Sequence, residues 1–488
     1  MKESGMLLLP VCFPILVGIM LLILRKGKRD RLVALTCAGL AGTALSVFYV
    51  LGQGEVSWTL FYLTDMLPVY FRVDLVGRLF AGVVTIAWVL AGIFSFEYMK
   101  HEENNGRYFG FYLIVYGILN GLNFSGNLIT FYLFYECMTL LSLPLVFHTQ
   151  SREAIMAGLK YLFYSLCGAY MALFGLYFVY RYGNTLTFTA GGVLDMSLVE
   201  GHEGLLLVAA FLMLLGFGVK AGLFPMHGWL PAAHPVAPAP ASAALSGIIV
   251  KAGVLGILRV CYYIFGADFL RGTWVQAAFL TLTLVTVFLG SMLAYLEKGL
   301  KKRLAYSTVS QASYILFGLG LFSQEAMAGS LLHVIFHAMI KSGLFLCAGA
   351  VIFRTGKTRV EELTGIGKEM PVTLWCYTLL SLALVGIPPA SGFVSKWYLA
   401  QGALLSETGV FSWAGPVVLL LSALLTAGYL LPISMKGFFP GEGKSYEKKE
   451  PVALMAVPIL LLAFLAVALG MFPQGILSYI AQITGSVL

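Results

Sequence analysis

The sequence is poor in charge. Asp, Glu, Lys and Arg make up 11% of its 488 residues, against about 25% in a soluble domain, so a water-solvated fold of this length is excluded. It also lacks metal-binding cysteine patterns. The seven cysteines, Cys12, Cys37, Cys137, Cys167, Cys261, Cys347 and Cys376, stand singly in apolar stretches, and no C-x-x-C occurs. That argues against zinc and iron–sulfur sites. No nucleotide motif is present either, so no cofactor and no metal are expected. Without a polar domain to carry a basic face, the formal net charge of +8 points to membrane topology and not to nucleic acid. The first apolar run, Met6 to Leu24, lacks an A-x-A site and precedes the basic run Arg25 to Arg31; it is expected to remain as a span.

What the sequence has is apolar length. Hydrophobic residues make up 59% of it, and the mean hydropathy is +0.88. They come in long blocks parted by short charged ones, the pattern of an all-α polytopic membrane protein. At roughly 20 apolar residues per crossing, the sequence predicts about 14 transmembrane helices. These cover 6–24, 32–51, 80–99, 108–124, 127–147, 155–180, 204–224, 239–262, 273–296, 304–323, 326–353, 372–402, 411–434 and 453–473.

Loop charge orients them. Loops after odd-numbered spans hold twenty Lys and Arg, among them Arg25 to Arg31, Lys298 to Arg303, and Lys436, Lys444, Lys448 and Lys449. Even-numbered loops hold five: Arg72, Arg78, Arg181, Arg259 and Arg271. Because cytoplasmic loops collect Lys and Arg, odd loops are expected in the cytoplasm and both termini outside, in a plasma or inner cell membrane.

Five lysines fall within spans: Lys160, Lys220, Lys251, Lys341 and Lys396. So do Glu136, His333 and His337. A charge at a helix centre costs on the order of 3 kcal/mol on insertion scales, so each needs a reason. Lys160, near the start of its span, fits either a snorkelling side chain or a member of the set. Glu136, Lys220 and Lys341 sit well inside apolar runs. One carboxylate facing five lysines and two histidines cannot leave all of them charged in a low-dielectric interior. A carboxylate that approaches and leaves a lysine would hold and release that lysine's proton. His333, His337 and Lys341 recur at i, i+4 and i+8 in LLHVIFHAMIKSGLF. On a helix they form a ladder along one face, and histidine can pass a proton through its two nitrogens.

Two spans are broken. GFGVKAGLFPMHGWLPAAHPVAPAP places Lys220 five residues before Pro225, and LVGIPPASGFVSKW places Lys396 after Gly386, Pro388, Pro389 and Gly392. Proline removes a helical hydrogen bond, and carbonyls freed at membrane depth must face protein or a water-filled cavity. The breaks recur five spans apart, in spans seven and twelve. Five is odd, so a second copy is inverted. Spans 4–8 and 9–13 then read as inverted five-helix repeats, a transporter architecture. The organisation expected is residues 1–106 with spans 1–3, 107–262 as the first repeat, 263–434 as the second, and 435–488 with span 14 and a tail.

Four stretches carry a resemblance to one family. FYLFYECMTLLSLPLVF holds Glu136. VKAGLFPMHGWLPAAHPVAPAPASAALSGIIVKAGVLGILRV holds Lys220 and Lys251. FHAMIKSGLFLCAG holds His337 and Lys341, and GIPPASGFVSKWYL holds Lys396. Together they resemble the antiporter-type subunits of respiratory complex I, membrane-bound NiFe hydrogenases, formate hydrogenlyase-type complexes and Mrp cation/proton antiporters. The resemblance implies a subunit that moves protons, or protons and Na+, beside other membrane subunits. Its parent would be a redox-driven pump of the NADH:quinone oxidoreductase or hydrogenase type, or alternatively an Mrp-type antiporter. It implies that Glu136 pairs with Lys220, that Lys251, His337 and Lys341 form a central polar axis, and that Lys396 exchanges protons at its end. His227 and His234 match family positions as well, and loop hydrogen bonding would explain them equally. Family loops often read WLPDAH, where this chain has Ala232. The complex I subunit closest in size usually carries glutamate where Lys396 stands. The chain also ends soon after span 14, without the long C-terminal helix of the largest complex I relative. These departures lean toward a hydrogenase-type or Mrp-like module. A self-contained quinone-reducing catalyst is disfavoured by the lack of cofactor ligands.

Overall fold

The computed structural model describes residues 2–64, 67–441 and 446–488; Lys444, counted above among the loop charges, lies outside them. Runs of apolar residues bury their backbone polar groups in the one way lipid allows, as helices. In chain order these are α1 (Leu9–Ile23), α2 (Arg29–Leu51), α3 (Leu75–Tyr98), α4 (Asn105–Asn123), α5 (Leu128–Val146), α6 (Arg152–Tyr182), α7 (Glu203–Ala221), the short α8 (Leu230–Val236), α9 (Ala239–Ile264), α10 (Trp274–Leu296), α11 (Leu300–Gly320), α12 (Gln324–Thr355), α13 (Pro371–Val385), α14 (Ser391–Leu405), α15 (Val410–Phe438), α16 (Ala453–Met471) and α17 (Gln474–Val487). Among the described residues, eleven helices are long and apolar enough to cross a membrane. The fourth and tenth predicted spans, α4 and α11, are helical but outside that set. The twelfth is divided into α13 and α14.

Side-chain caps start several of these helices. Asp74 accepts from the Gly77 amide at 2.7 Å, Asn127 from Thr130 at 2.9 Å and Ser151 from Ala154 at 3.2 Å, each satisfying an amide that the first turn leaves open. The two breaks start alike. α7 stops at Gly222, φ +80°, and α13 at Gly386, φ +95°, a left-handed conformation that only glycine adopts without strain. Loops following odd-numbered spans bond to one another: Lys301 to the Ala237 carbonyl at 2.7 Å, Gly365 to Lys436 at 3.0 Å, Arg354 to Lys449 at 3.1 Å. Loops following even-numbered spans do the same at the opposite end. There, bridges join Phe71 to Ser125 and Asn127 to Thr187, and Val193 donates to Ile264 at 2.9 Å.

The first hundred residues hold more than helices. Strands β1 (Lys2–Glu3), β2 (Val56–Thr64) and β3 (Leu67–Arg72) form a small sheet, β2 antiparallel to β3 with Trp58 opposite Phe71 and Thr59 opposite Tyr70. The two longer strands fall between the second and third predicted spans, 32–51 and 80–99. Val56 to Thr64 is β-branched and aromatic, and a search for 20-residue apolar runs passes over it. Beyond α16 the tail is the helix α17, tied to the start of α3 by Tyr479 donating to the Leu75 carbonyl at 2.8 Å.

Candidate functional site

Lys220 lies in the last turn of α7 and is fully buried. Its ammonium donates to Thr139 Oγ1 at 2.9 Å, Tyr161 Oη at 2.9 Å and Ser165 Oγ at 3.0 Å, using all three donors. The Tyr161 ring centroid is 4.3 Å away, a cation–π contact. Close helix approach makes this reach possible. Gly168 of α6 and Gly216 of α7 face one another, and a Cβ on either would meet the other's carbonyl oxygen, the small-residue contact that lets membrane helices pack tightly. The expected direct pair of Lys220 with Glu136 is not formed. No ion pair joins them among the described residues. The hydroxyls saturate the ammonium, while Glu136 Oε1 is buried without a partner. The carboxylate stays within electrostatic reach of the lysine.

Deeper in the bundle, Lys251 Nζ lies 2.6 Å from His337 Nδ1 and donates to the Ser246 carbonyl at 2.9 Å. Ser246 belongs to a π-helical turn, Leu245–Ile249, whose wider spacing loosens the usual backbone pairing. Ser246 Oγ in turn meets Thr308 Oγ1 at 2.6 Å. Lysine is the donor in the contact with His337, so Nδ1 accepts and a neutral ring carries its proton on Nε2, which is buried and unpartnered. The His333 and His337 rings stack with centroids 5.6 Å apart at 26°. Lys341, the third rung, turns to the Leu304 carbonyl at 3.0 Å and to Ser307 Oγ.

Lys396 meets the second break directly. It donates to the carbonyls of Leu384 at 2.6 Å and Val385 at 3.0 Å. In an unbroken helix those carbonyls would accept from residues 388 and 389. Both are prolines, which have no N–H, so the lysine takes their place. Lys396 also lies 5.0 Å from the Tyr314 ring centroid. Tyr314 stacks on His333 at 5.7 Å, and His333 Nδ1 contacts Ser395 Oγ at 2.9 Å. Lys251, His337, His333, Ser395 and Lys396 thus follow one another across α9, α12 and α14.

The remaining candidates sit apart from this line. Lys160 is exposed, 5.9 Å from the Tyr164 ring centroid. His227 is half-buried against Phe224. His234 is fully buried, stacked on Phe345 with centroids 4.6 Å apart, and neither ring nitrogen has a partner.

Sequence reasoning misses a buried ion pair. Arg259, which loop charge alone assigns to an even loop, lies inside α9 at 1% exposure and grips Asp74 at 2.5 and 2.9 Å. The Phe188 and Tyr263 rings flank its guanidinium at 4.6 and 4.7 Å. Burial pushes the Asp74 carboxyl upward, and Arg259 more than offsets this, holding it below the usual carboxylate value. A signal exists: Asp74 stands immediately before an apolar run, where a capping carboxylate belongs. Also missed is the polar second half. Ser291, Ser310 and Ser422 form a hydroxyl cluster with contacts of 2.6 to 3.2 Å, and the buried Gln311 amide has no partner on either atom.

Residues 125–425 match the family described as "NADH:quinone oxidoreductase/Mrp antiporter, TM". Residues 64–109 match "NADH-Ubiquinone oxidoreductase (complex I), chain 5 N-terminus". The NADH-quinone oxidoreductase N subunit of Desulforudis audaxviator is 31% identical, over 93% of this chain and 92% of that protein. A Na(+)/H(+) antiporter subunit of Alkalihalophilus pseudofirmus is 28% identical, over 99% and 97%. Hydrogenase-4 component B of Escherichia coli is 32% identical, over 82% of this chain and 62% of its own length. The fold matches a chain of the Mrp complex from a Dietzia species with TM-score 0.87, at 22% identity over 99% and 98% of the two chains. It matches a chain of Thermus thermophilus respiratory complex I with TM-score 0.81, at 24% identity over 99% and 100%. The capped apolar helices and the buried lysine–histidine line are therefore those of a multi-pass membrane protein of the NADH:quinone oxidoreductase/Mrp antiporter transmembrane family, to which this chain belongs.

Proposed function

We propose that the chain is a proton-translocating membrane subunit of a complex-I-like, redox-driven pump of the NADH:quinone oxidoreductase or membrane-bound hydrogenase type. The observation that carries this reading is the run Lys251–His337–His333–Ser395, four groups that bond or stack in sequence through the buried centre of the bundle, with Lys396 next to Ser395 on α14 and against the Tyr314 ring that stacks on His333. A proton leaving Lys251 for His337 Nδ1 lets His337 release one from Nε2, since imidazole accepts at one nitrogen and donates at the other. His333 repeats the step toward Ser395 and Lys396. Lys220, ringed by hydroxyls, is the proton store of the first half, and Glu136 biases its charge from a distance. The chain supplies the path and its partner subunits supply the driving reaction.

The Na(+)/H(+) antiporter relative aligns over 99% of the chain, so the same path could serve a multi-subunit antiporter driven by an existing ion gradient, with H+ and Na+ as cargo. Composition of the purified assembly separates the two readings. Iron–sulfur absorbance with a flavin or nickel signal identifies the redox pump; a colourless membrane assembly identifies the antiporter. Loss of ΔpH formation in proteoliposomes on Lys251→Met tests the path under either. The inverted repeats of spans 4–8 and 9–13, the cytoplasmic side of the odd loops and the external termini belong to this proposal. A cysteine at Lys298, an exposed loop position, should react with an impermeant reagent from the cytoplasmic side only, and labelling from outside would reverse the topology.

A further inference from the structure

The central line begins at Lys251, with Lys341 one turn beyond His337 on α12, and both lysines are buried. One cluster outside it reaches an aqueous face. Glu102 lies half-buried in the loop after α3, at the end of the bundle where the odd loops gather. Lys301, in the first turn of α11, is within electrostatic reach of Glu102 and donates to the Ala237 carbonyl at 2.7 Å, closing over the end of α8. Beneath that contact is His234, fully buried, with both ring nitrogens unpartnered. A buried imidazole without a hydrogen bond forfeits the pairing that water would give it, a cost that packing alone does not require of this position.

The ring is placed between two lysines. It stacks on Phe345 at 4.6 Å, and Phe345 is one helical turn from Lys341 on the same face of α12. It lies within electrostatic reach of both Lys301 and Lys341. α11 runs alongside. Lys301 is at its start, while Leu304 and Ser307, three and six residues on, hold the Lys341 ammonium. Six residues rise about 9 Å, a distance one imidazole between two long side chains spans.

We propose that Glu102, Lys301 and His234 are the proton entry from the odd-loop face, delivering to Lys341 and so to His337. This rests on the proton-path reading above. Glu102 takes a proton from water and returns it to Lys301. The Lys301 ammonium gives one proton to a nitrogen of His234, and the other nitrogen gives its own to a neutral Lys341. Each step breaks one N–H or O–H bond and forms one. Burial lowers the Lys301 ammonium to about 8, against the opposing pull of Glu102, so it can release a proton near neutrality. Burial raises the Glu102 carboxyl, opposed by Lys301 and His101; Tyr98 and Tyr108 also face it.

The test uses the whole assembly in oriented proteoliposomes, reading the initial rate of ΔpH formation. His234→Phe keeps the stack on Phe345 and removes both nitrogens; the rate should fall about tenfold or more. Glu102→Ala and Lys301→Gln, near the surface, should also slow it and displace its pH profile. Formate supplied on the odd-loop face should restore Glu102→Ala, whereas formate on the other face should not. That sidedness is something a purely structural role cannot produce, and it decides the matter if His234→Phe fails to fold. Wild-type rate and pH profile in Glu102→Ala, or equal rescue from both faces, overturns the entry route. A wild-type assembly that forms no ΔpH overturns the proton-path reading instead.

Discussion

The two broken helices present their lysines to opposite kinds of ligand. Lys220 is held by three hydroxyls brought from α5 and α6. Lys396 is held by two carbonyls of its own interrupted helix. A hydroxyl both donates and accepts, so the Lys220 shell can turn over when the ammonium loses its proton. A carbonyl accepts only, so the Lys396 shell always wants a donor. Both sites can be satisfied in either protonation state, since a neutral amine keeps two N–H bonds, but the second resists departure of the side chain. Breaks that both begin at a left-handed glycine thus give a permissive store in one half and a demanding terminus in the other.

The largest effects should be shared. Lys220→Met and Lys396→Met remove a titrating group and keep the apolar stem, and each should cut coupled ΔpH formation on the order of 100-fold while the protein still inserts. Glu136→Ala should lose most of the activity as well, and Glu136→Asp much less, because the charge is retained at a distance where direct contact was never made. Near-wild-type ΔpH formation in either lysine variant would take that residue out of the path.

Stability should then part the two sites. Lys396→Met leaves the Leu384 and Val385 carbonyls without a donor, whereas the hydroxyls around Lys220 can bond to one another, as Ser142 and Tyr161 already do at 2.8 Å. Lys396→Met should therefore be less stable than Lys220→Met by about 1–3 kcal/mol, read as a lower melting temperature in detergent. Equal melting temperatures would mean that water satisfies those carbonyls, and the contrast in ligand type would lose its energetic meaning.

Chemical replacement gives a smaller, graded effect. A glutamate at 396 can donate to one carbonyl, and only when protonated. Lys396→Glu should retain partial translocation with its optimum moved to lower pH, measured as ΔpH formation across several pH values. Complete loss at every pH would show that the site needs a positive charge and not merely a titratable group.

The second site is far more legible in the sequence than the first. Pro388 and Pro389 announce two free carbonyls at positions 384 and 385, and Lys396 follows close enough to claim them; local chain geometry suffices. The shell of Lys220 comes from residues 55 to 81 positions away. Thr139, Tyr161 and Ser165 are ordinary polar residues in apolar helices, and only packing shows which of them converge. The expected Glu136 contact fails for that reason, since nothing in the sequence reveals the nearer competitors. Span positions are legible because hydropathy alone sets them. The sheet of β1 to β3 is not, being shorter than any apolar run sought. Nor is the π turn Leu245–Ile249 of α9, which leaves no mark in composition. Arg259 is misplaced because its partner, Asp74, is 185 residues away.

The smallest expected effect separates ring from hydroxyl. Both sites set a tyrosine beside the lysine, Tyr161 at 4.3 Å and Tyr314 at 5.0 Å from ammonium to ring centroid, so a cation–π contact is common to them. Their hydroxyls differ. Tyr161 Oη accepts from Lys220, whereas Tyr314 Oη donates to the Leu419 carbonyl at 2.7 Å and leaves Lys396 alone. Phenylalanine keeps the ring and deletes the oxygen. Tyr161→Phe takes one of three acceptors from the ammonium, worth about 1 kcal/mol, and should slow translocation roughly fivefold. Tyr314→Phe costs one bond to a carbonyl and should lower the melting temperature with little change in translocation. If the two variants slow translocation equally, the rings and not the hydroxyls set the behaviour of both lysines, and the two halves work by the same chemistry after all.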